Sequence, residues 1–271
     1  MRALVAIALA GCVSEPQGPP ACTAPRTLDS LNSGANDGSP WLSADRRARI
    51  FASTRGAGGD LVMLRGTRAS LLEDFVLDPT PVANIPEGAF DPFVVGKTLY
   101  YISGPSDNGG SIYATTRANG TFLVSALGDP VFTELGNEVL HPTLTADLLT
   151  IVYDDRGQNH MMMAHRDVAD ATFRDMHPIV TDPRFRELRS PAISLDGQRL
   201  AFSAIDTTSA RASSAIFYAT RAGDDFGTFV AQELGSPQGG DYEPFVADDG
   251  RTIVFASDRD SSNAHLWIYC E

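Results

Sequence analysis

Hydrophobic positions along this chain come in short runs broken by polar turns, and no long stretch carries a helical period. The most apolar runs are Ile50-Phe51-Ala52-Ser53, Leu99-Tyr100-Tyr101-Ile102-Ser103, Thr150-Ile151-Val152-Tyr153, Leu200-Ala201-Phe202-Ser203 and Ile253-Val254-Phe255-Ala256-Ser257. Their shortness and their β-branched and aromatic content predict strands.

A longer period underlies these runs. Each follows a small or polar residue, a proline, an apolar pair and an Asp-containing turn. The copies are Ser39-Pro40-Trp41-Leu42-Ser43-Ala44-Asp45, His141-Pro142-Thr143-Leu144-Thr145-Ala146-Asp147, Ser190-Pro191-Ala192-Ile193-Ser194-Leu195-Asp196 and Glu243-Pro244-Phe245-Val246-Ala247-Asp248-Asp249. A fifth, Asp91-Pro92-Phe93-Val94-Val95-Gly96-Lys97, is one residue short and lacks the Asp. The prolines at 40, 92, 142, 191 and 244 are 52, 50, 49 and 53 residues apart. Asp-Gly at 196–197 and 249–250 and Asn-Gly at 119–120 suit tight hairpins, whose positive-φ positions match strand twist. After each apolar run comes a third segment, usually ending in Arg (Arg68, Arg117, Arg166, Arg221), then a fourth led by Phe75, Phe122, Phe173 or Phe229. Four short strands per unit at this period is the sequence form of a propeller blade. The chain is therefore predicted to be all-β, a five-bladed β-propeller of four-stranded antiparallel blades.

The last repeat stops early. His265-Leu266-Trp267-Ile268-Tyr269-Cys270 aligns with the third strand Ala215 to Thr220, and only Glu271 follows. In the other repeats the leading Phe precedes the next proline by 15 to 20 residues; the same count back from Pro40 falls on residues 20–25. The N-terminal strand is thus expected to complete the last blade and cover an edge that would otherwise invite aggregation. Cys22 would begin that strand where Cys270 ends its neighbour, so a Cys22–Cys270 disulfide is expected to lock the ring.

The repeat resembles that of the TolB-type, WD-repeat-like propeller family, whose units carry a Pro, a Ser-x-Asp-Gly turn and a Phe-x-Ser strand. The likeness runs from about residue 25 to 271. It implies fold more than function, since such propellers host periplasmic scaffolds, lyases and glycosidases alike.

Composition narrows the rest. Apolar residues make up 43%, enough for a proper core. With 34 acidic against 21 basic residues and a formal charge of −13, the chain argues against nucleic acid, which needs clustered Lys and Arg. At the N-terminus, Met1-Arg2 and the apolar run Ala3 to Ala8 precede Leu9-Ala10-Gly11-Cys12. The run has the parts of a secretory signal and is too short to span a bilayer. Leu9 to Cys12 resembles the lipobox of bacterial lipoproteins, which implies a lipid on Cys12 and export to the bacterial cell envelope. The expected organisation is a signal peptide over 1–11, a Pro-rich tether over 12–22 and the propeller over 23–271. In an exported chain a disulfide is permitted.

Candidate chemistry centres on the residues before the five prolines, Ser39, Asp91, His141, Ser190 and Glu243. Each starts an innermost strand, and together they are predicted to line one mouth of the central channel and to bind a ligand. Two carboxylates and an imidazole could hold a divalent cation, although no cofactor is expected. Asp91 and Glu243 could also be the acid and base of a carbohydrate-active enzyme, or with His141 part of a sugar-binding site. Asp45, Asp147, Asp196 and Asp249 read as turn residues. His160-Met161-Met162-Met163-Ala164-His165 reads as core, since the other repeats are apolar there. The repeated Arg are expected to pair with acids of the turns. No nucleophile elbow, zinc helix or phosphate loop is present. The reading is a monomeric, non-catalytic binding or assembly module, held to the membrane by its lipid alone. An envelope protein or cell-wall component would be its partner, docked on a propeller face.

Overall fold

Each repeat folds as its proline demands. Pro has no N–H to give a ladder, so it is tolerated at sheet edges and bulges. Here every repeat proline sits in the edge strand nearest the axis, and the pairing slips by one residue at that point: between Gly38 and Trp41, Phe90 and Phe93, Leu140 and Thr143, Arg189 and Ala192, and Tyr242 and Phe245. In our computed structural model the described residues are 24–82, 85–104, 109–118, 121–123, 128–157, 160–179, 182–210, 213–221, 226, 232–233 and 239–269. They form a five-bladed β-propeller of four-stranded antiparallel sheets.

Blade I contains Asp37–Leu42, Ala48–Ser53, Val62–Thr67 and Val76–Asp78. Blade II contains Phe90–Val95, Thr98–Ser103, Ser111–Ala118 and Thr121–Leu123; blade III, Val139–Leu144, Thr150–Asp155, His160–His165 and Arg174–Pro178. Blade IV contains Phe185–Ile193, Arg199–Asp206, Ala215–Thr220 and Gln232–Glu233. The fifth sheet is built from Asp241–Val246, Ile253–Ser257 and His265–Tyr269, and its outer strand is Arg26–Thr27 from the other end of the chain. Arg26 lies opposite Ile268 and Thr27 opposite Trp267, antiparallel. Cys12, Cys22 and Cys270, and with them the expected lipid and disulfide, lie outside the described residues, as does Phe229.

Because strand side chains alternate between faces, each blade buries both of its faces against neighbours. One apolar layer fills each interface, for example Phe93, Tyr100 and Met162 between blades II and III, and Phe51, Phe245 and Val254 between blades V and I. Met161 and Met163 face one side and Met162 the other, all buried, as the core reading of that run required. The turn Asp residues also behave as read. Ser43, Thr145 and Ser194 donate their hydroxyls to Asp45, Asp147 and Asp196, each of which accepts the N–H two residues on.

The repeated Arg do something else. Arg68 donates from Nε to the Arg46 carbonyl at 2.8 Å and lies over the Phe75 ring at 4.5 Å; Arg166 donates to the Leu148 carbonyl at 2.7 Å and lies over Phe173 at 4.4 Å. Arg117 and Arg221 stack over Phe122 and Phe226. The expected pairing with turn acids gives way, at Arg68 and Arg166, to carbonyl bonds and cation–π contacts. A flat guanidinium can cover an aromatic ring while its edge still donates.

Two blades carry buried ion pairs. Arg259 reaches the fully buried Asp241 at 2.5 Å while lying over Trp267 at 4.6 Å; Arg55 holds the buried Asp37 at 2.5 Å. Arg49 is the opposite case. It is 0% exposed, lies over Phe75 at 4.9 Å, and none of its three guanidinium nitrogens has a hydrogen-bond partner. Burial, with Arg68 and Arg26 nearby, holds its pKa well below the ordinary value. Denaturant melts should separate the two cases. Arg259→Ala leaves a buried carboxylate unpaired and should cost about 3–5 kcal/mol. Arg49→Met removes three unsatisfied donor nitrogens while keeping apolar bulk, and should leave stability equal or higher by about 1–3 kcal/mol.

Candidate functional site

The bulge at each proline has a backbone consequence. Ser39, Asp91, His141, Ser190 and Glu243 all adopt positive φ, of 46°, 50°, 49°, 54° and 50°. For non-glycine residues this conformation is strained, on the order of 1–3 kcal/mol each, and it persists only where the surroundings enforce it. Three of the five N–H groups are met by a carboxylate of another blade. Ser39 N–H donates to Glu243 Oε2 at 2.6 Å, His141 N–H to Asp91 Oδ2 at 2.8 Å, and Ser190 N–H to Asp154 Oδ2 at 2.7 Å. Ser39 Oγ also donates to Asp91 Oδ1 at 2.6 Å. These bonds tie blade V to I, I to II, II to III and III to IV.

Four of the five expected residues meet at the axis. Ser39, Asp91, His141 and Glu243, with the prolines, line a cavity of about 30 Å³, room for a water or two. Ser190 does not line it; its N–H is spent on Asp154. Above the cavity the mouth widens to about 340 Å³, bounded also by Asn36, Thr54, Leu61, Phe90 and Leu140.

His141 is the centre of charge. Its Nδ1–H donates to Asp154 Oδ2 at 3.1 Å, and its Nε2 lies 3.7 Å from both Asp91 Oδ1 and Glu243 Oε1. Burial pulls its pKa down, but the Asp91 charge, the bond to Asp154 and the nearby Glu243 carboxylate outweigh this and leave it well above the ordinary histidine value. Burial works against Glu243 too, yet His141 and the Ser39 N–H bring its pKa below the usual range. Asp91 is raised by burial, partly offset by His141 and reinforced by Glu243. Of the two ring nitrogens, Nδ1 makes a hydrogen bond, while Nε2 faces two carboxylates at ion-pair distance. Among the described residues no three His, Cys, Asp or Glu side chains gather as metal ligands.

Two members were missed from sequence. Asp154 sits on the second strand of blade III, opposite Leu140; at the same register position the other blades carry Ala52, Ile102, Ser203 and Ala256. An acid among small and apolar residues was the available signal. Its Oδ1 is buried without a partner. Gly38 is the other, since a Cβ there would come 2.5 Å from Glu243 Oε2.

Comparison with known proteins bears on the fold. No family profile and no curated protein sequence matches the chain. Solved structures do. The endo-arabinase from Bacteroides thetaiotaomicron superposes with a TM-score of 0.56 at 17% identity, over 93% of this chain and 97% of its own. A thermostable family-43 glycoside hydrolase gives 0.55 at 12% identity, over 90% and 91%. TolB from Acinetobacter baumannii gives 0.44 at 20% identity, over 80% of this chain and 46% of its own. The likeness is one of fold. The resemblance to TolB repeats thus has counterparts among glycoside hydrolase propellers, and the fold chooses neither activity.

The charge arrangement gives a signed expectation. His141, raised on folding, contributes stability that is fully present below its unfolded pKa of about 6.5 and is lost as pH rises through the folded value. Glu243, lowered on folding, contributes above its unfolded pKa of about 4.3 and loses its share as pH falls through the folded value. Asp91, raised, offsets part of this as it ionises. The His141 contribution is isolated by comparing wild type with His141→Gln. The melting-temperature gap should be wider below pH 6.5 than above it and should narrow as pH rises through the folded imidazole's value, and NMR of the imidazole should give a pKa above 6.5 that falls in Asp154→Ala.

Proposed function

We propose that the chain is an exported, non-catalytic binding module, a propeller tethered by lipid on Cys12 that docks an envelope protein or cell-wall component at the channel mouth. The observation that carries this is the occupation of the acids. Asp91, Glu243 and Asp154 are each committed to a backbone N–H of another blade, and His141 sits among all three, 3.1 Å from Asp154 and 3.7 Å from Asp91 and Glu243. A general acid or base must be able to give or take a proton at a substrate atom, at a matched pKa. Carboxylates that anchor strained backbone are poor candidates for that work and good ones for a rigid, polar rim. In this reading Arg26–Thr27 closes the ring, and a Cys22–Cys270 bridge fastens it over an edge that would otherwise be open.

A sugar-binding or glycan-cleaving role is the second reading. It is favoured by one feature, the convergence of Asp91, His141 and Glu243 beneath a mouth of about 340 Å³, which falls in the size range of small-ligand sites. Hydrolysis assays on arabinan and xylan separate the two. The binding reading expects no cleavage by wild-type protein. Cleavage that disappears in Glu243→Gln while the fold survives would hand the site to the enzymatic reading. Crosslinking in the native membrane should recover one envelope partner.

The tether and closure are checked by mass. Membrane-extracted protein should begin at Cys12 with a diacylglyceryl adduct, and non-reducing peptide maps should contain the Cys22–Cys270 pair. A protein that keeps Met1, or two free thiols, defeats the corresponding part.

A further inference from the structure

The opposite face of the propeller carries a feature that the proposed function does not use. There the hairpin turns of the inner strands surround a groove of about 710 Å³ between blades I and II. In a chain with 34 acidic and only 21 basic residues, five cations line this one groove: Arg47, Arg65, Arg68, Lys97 and Arg117. Among the described residues two acids, Asp45 and Asp248, line it with them.

Most of the neutralisation one would look for is already spent elsewhere. Asp45 Oδ1 accepts from Ser43 Oγ and from the Arg47 N–H within its own turn. Asp248 is raised by burial and by the charge of Asp249 beside it, so it is a weak counter-ion. Arg46, one residue before Arg47, pairs with Asp249 at 3.4 Å. Arg68 is held by carbonyls and Phe75, and Arg117 stacks on Phe122 at 5.9 Å. Arg65 lies across the strand pair from Asp78, but Asp78 accepts the Thr80 N–H and no ion pair forms. Among the described residues no carboxylate lies within ion-pair distance of Arg47, Arg65 or Lys97. Arg47, Arg65 and Lys97 gathered in one concavity repel one another, and an anion would relieve that repulsion.

The groove coincides with the place where the repeat breaks. Blade II's turn is the copy that lacks the Asp, and Gly96 turns at a φ of 60° so that Lys97 follows where other turns have an acid two residues earlier. The floor is apolar and aromatic. Trp41 is fixed edge-on to Phe245 with ring centres 6.4 Å apart, and Ile50 and Val94 lie beside it. Guanidinium groups suit carboxylate and phosphate through paired N–H donors, and the aromatic floor suits the body that carries them.

We propose that this groove binds a polyanionic small ligand, bearing at least two carboxylate or phosphate groups on a body of about disaccharide or trisaccharide size. The site is separate from the acidic channel mouth, and stands or falls without it. The probes are trigalacturonate for carboxylates, fructose 1,6-bisphosphate for phosphates and maltotriose as the neutral counterpart, read by tryptophan fluorescence and calorimetry on the full chain. At least one of the two anions should bind saturably and more weakly as salt rises from 50 to 200 mM, and which of them does so names the anionic group. Arg65→Gln with Lys97→Gln should weaken it at least tenfold, with Arg47→Gln as an independent single variant should the double not fold. Arg186→Gln, an exposed charge on blade IV, should change nothing. No binding of either anion at millimolar concentration, equal binding of maltotriose, or undiminished binding in the folded variants would overturn the site.

Discussion

The structure depends on the satisfaction of N–H groups at strained backbone around the axis. A proline in the innermost strand forces a bulge, the bulge puts the preceding residue at positive φ, and that residue's N–H leaves its own sheet ladder. A buried, unmet N–H costs about as much as a lost hydrogen bond. At Ser39, His141 and Ser190 the cost is offset by a carboxylate from an adjacent blade. The same bond that satisfies the backbone therefore holds two blades together, and what looks like a cluster of functional acids is also the joint of the ring.

That double use explains the electrostatics. Three carboxylates drawn to one axis would repel, and His141 sits among them as the counter-charge, with its ring nitrogens toward Asp154 on one side and Asp91 and Glu243 on the other. Gly38 leaves room for Glu243 to reach Ser39. The polar groups of the rim are thus already bonded to one another across the blades.

Away from the axis the repeat is held by a second device. Cations lie on aromatic rings at the outer strands, and buried Asp–Arg pairs fasten blades I and V, the blades on either side of the junction between the chain's two ends. Arg49 shows the limit of this economy, a stacked but unpaired cation at the same junction. On the far face, the one blade whose turn departs from the repeat opens a groove where cations outnumber acids, so the irregularity of the sequence and the asymmetry of charge fall in the same place.

How much of this was legible in the sequence follows from what kind of constraint each feature is. Period, strand count, the axial position of Ser39, Asp91, His141 and Glu243, the turn role of the Asp residues and the burial of Met161 to Met163 depend on local chemistry repeated five times. A proline, a hydroxyl–Asp turn or an apolar run dictates its own geometry wherever it stands. Asp154 left only the trace of an acid where the other repeats are small or apolar, and Gly38 left none, because their partners are brought to them by pairing register and by the next blade. Arg68 and Arg166, at the ends of their third strands, were misassigned for the same reason: charge alone pointed to acids, whereas the fold set an aromatic ring and a carbonyl closer. Local pattern determined that this chain makes blades and where its polar rim would lie; only the closed ring decided which of those polar groups spend their bonding capacity on holding it together.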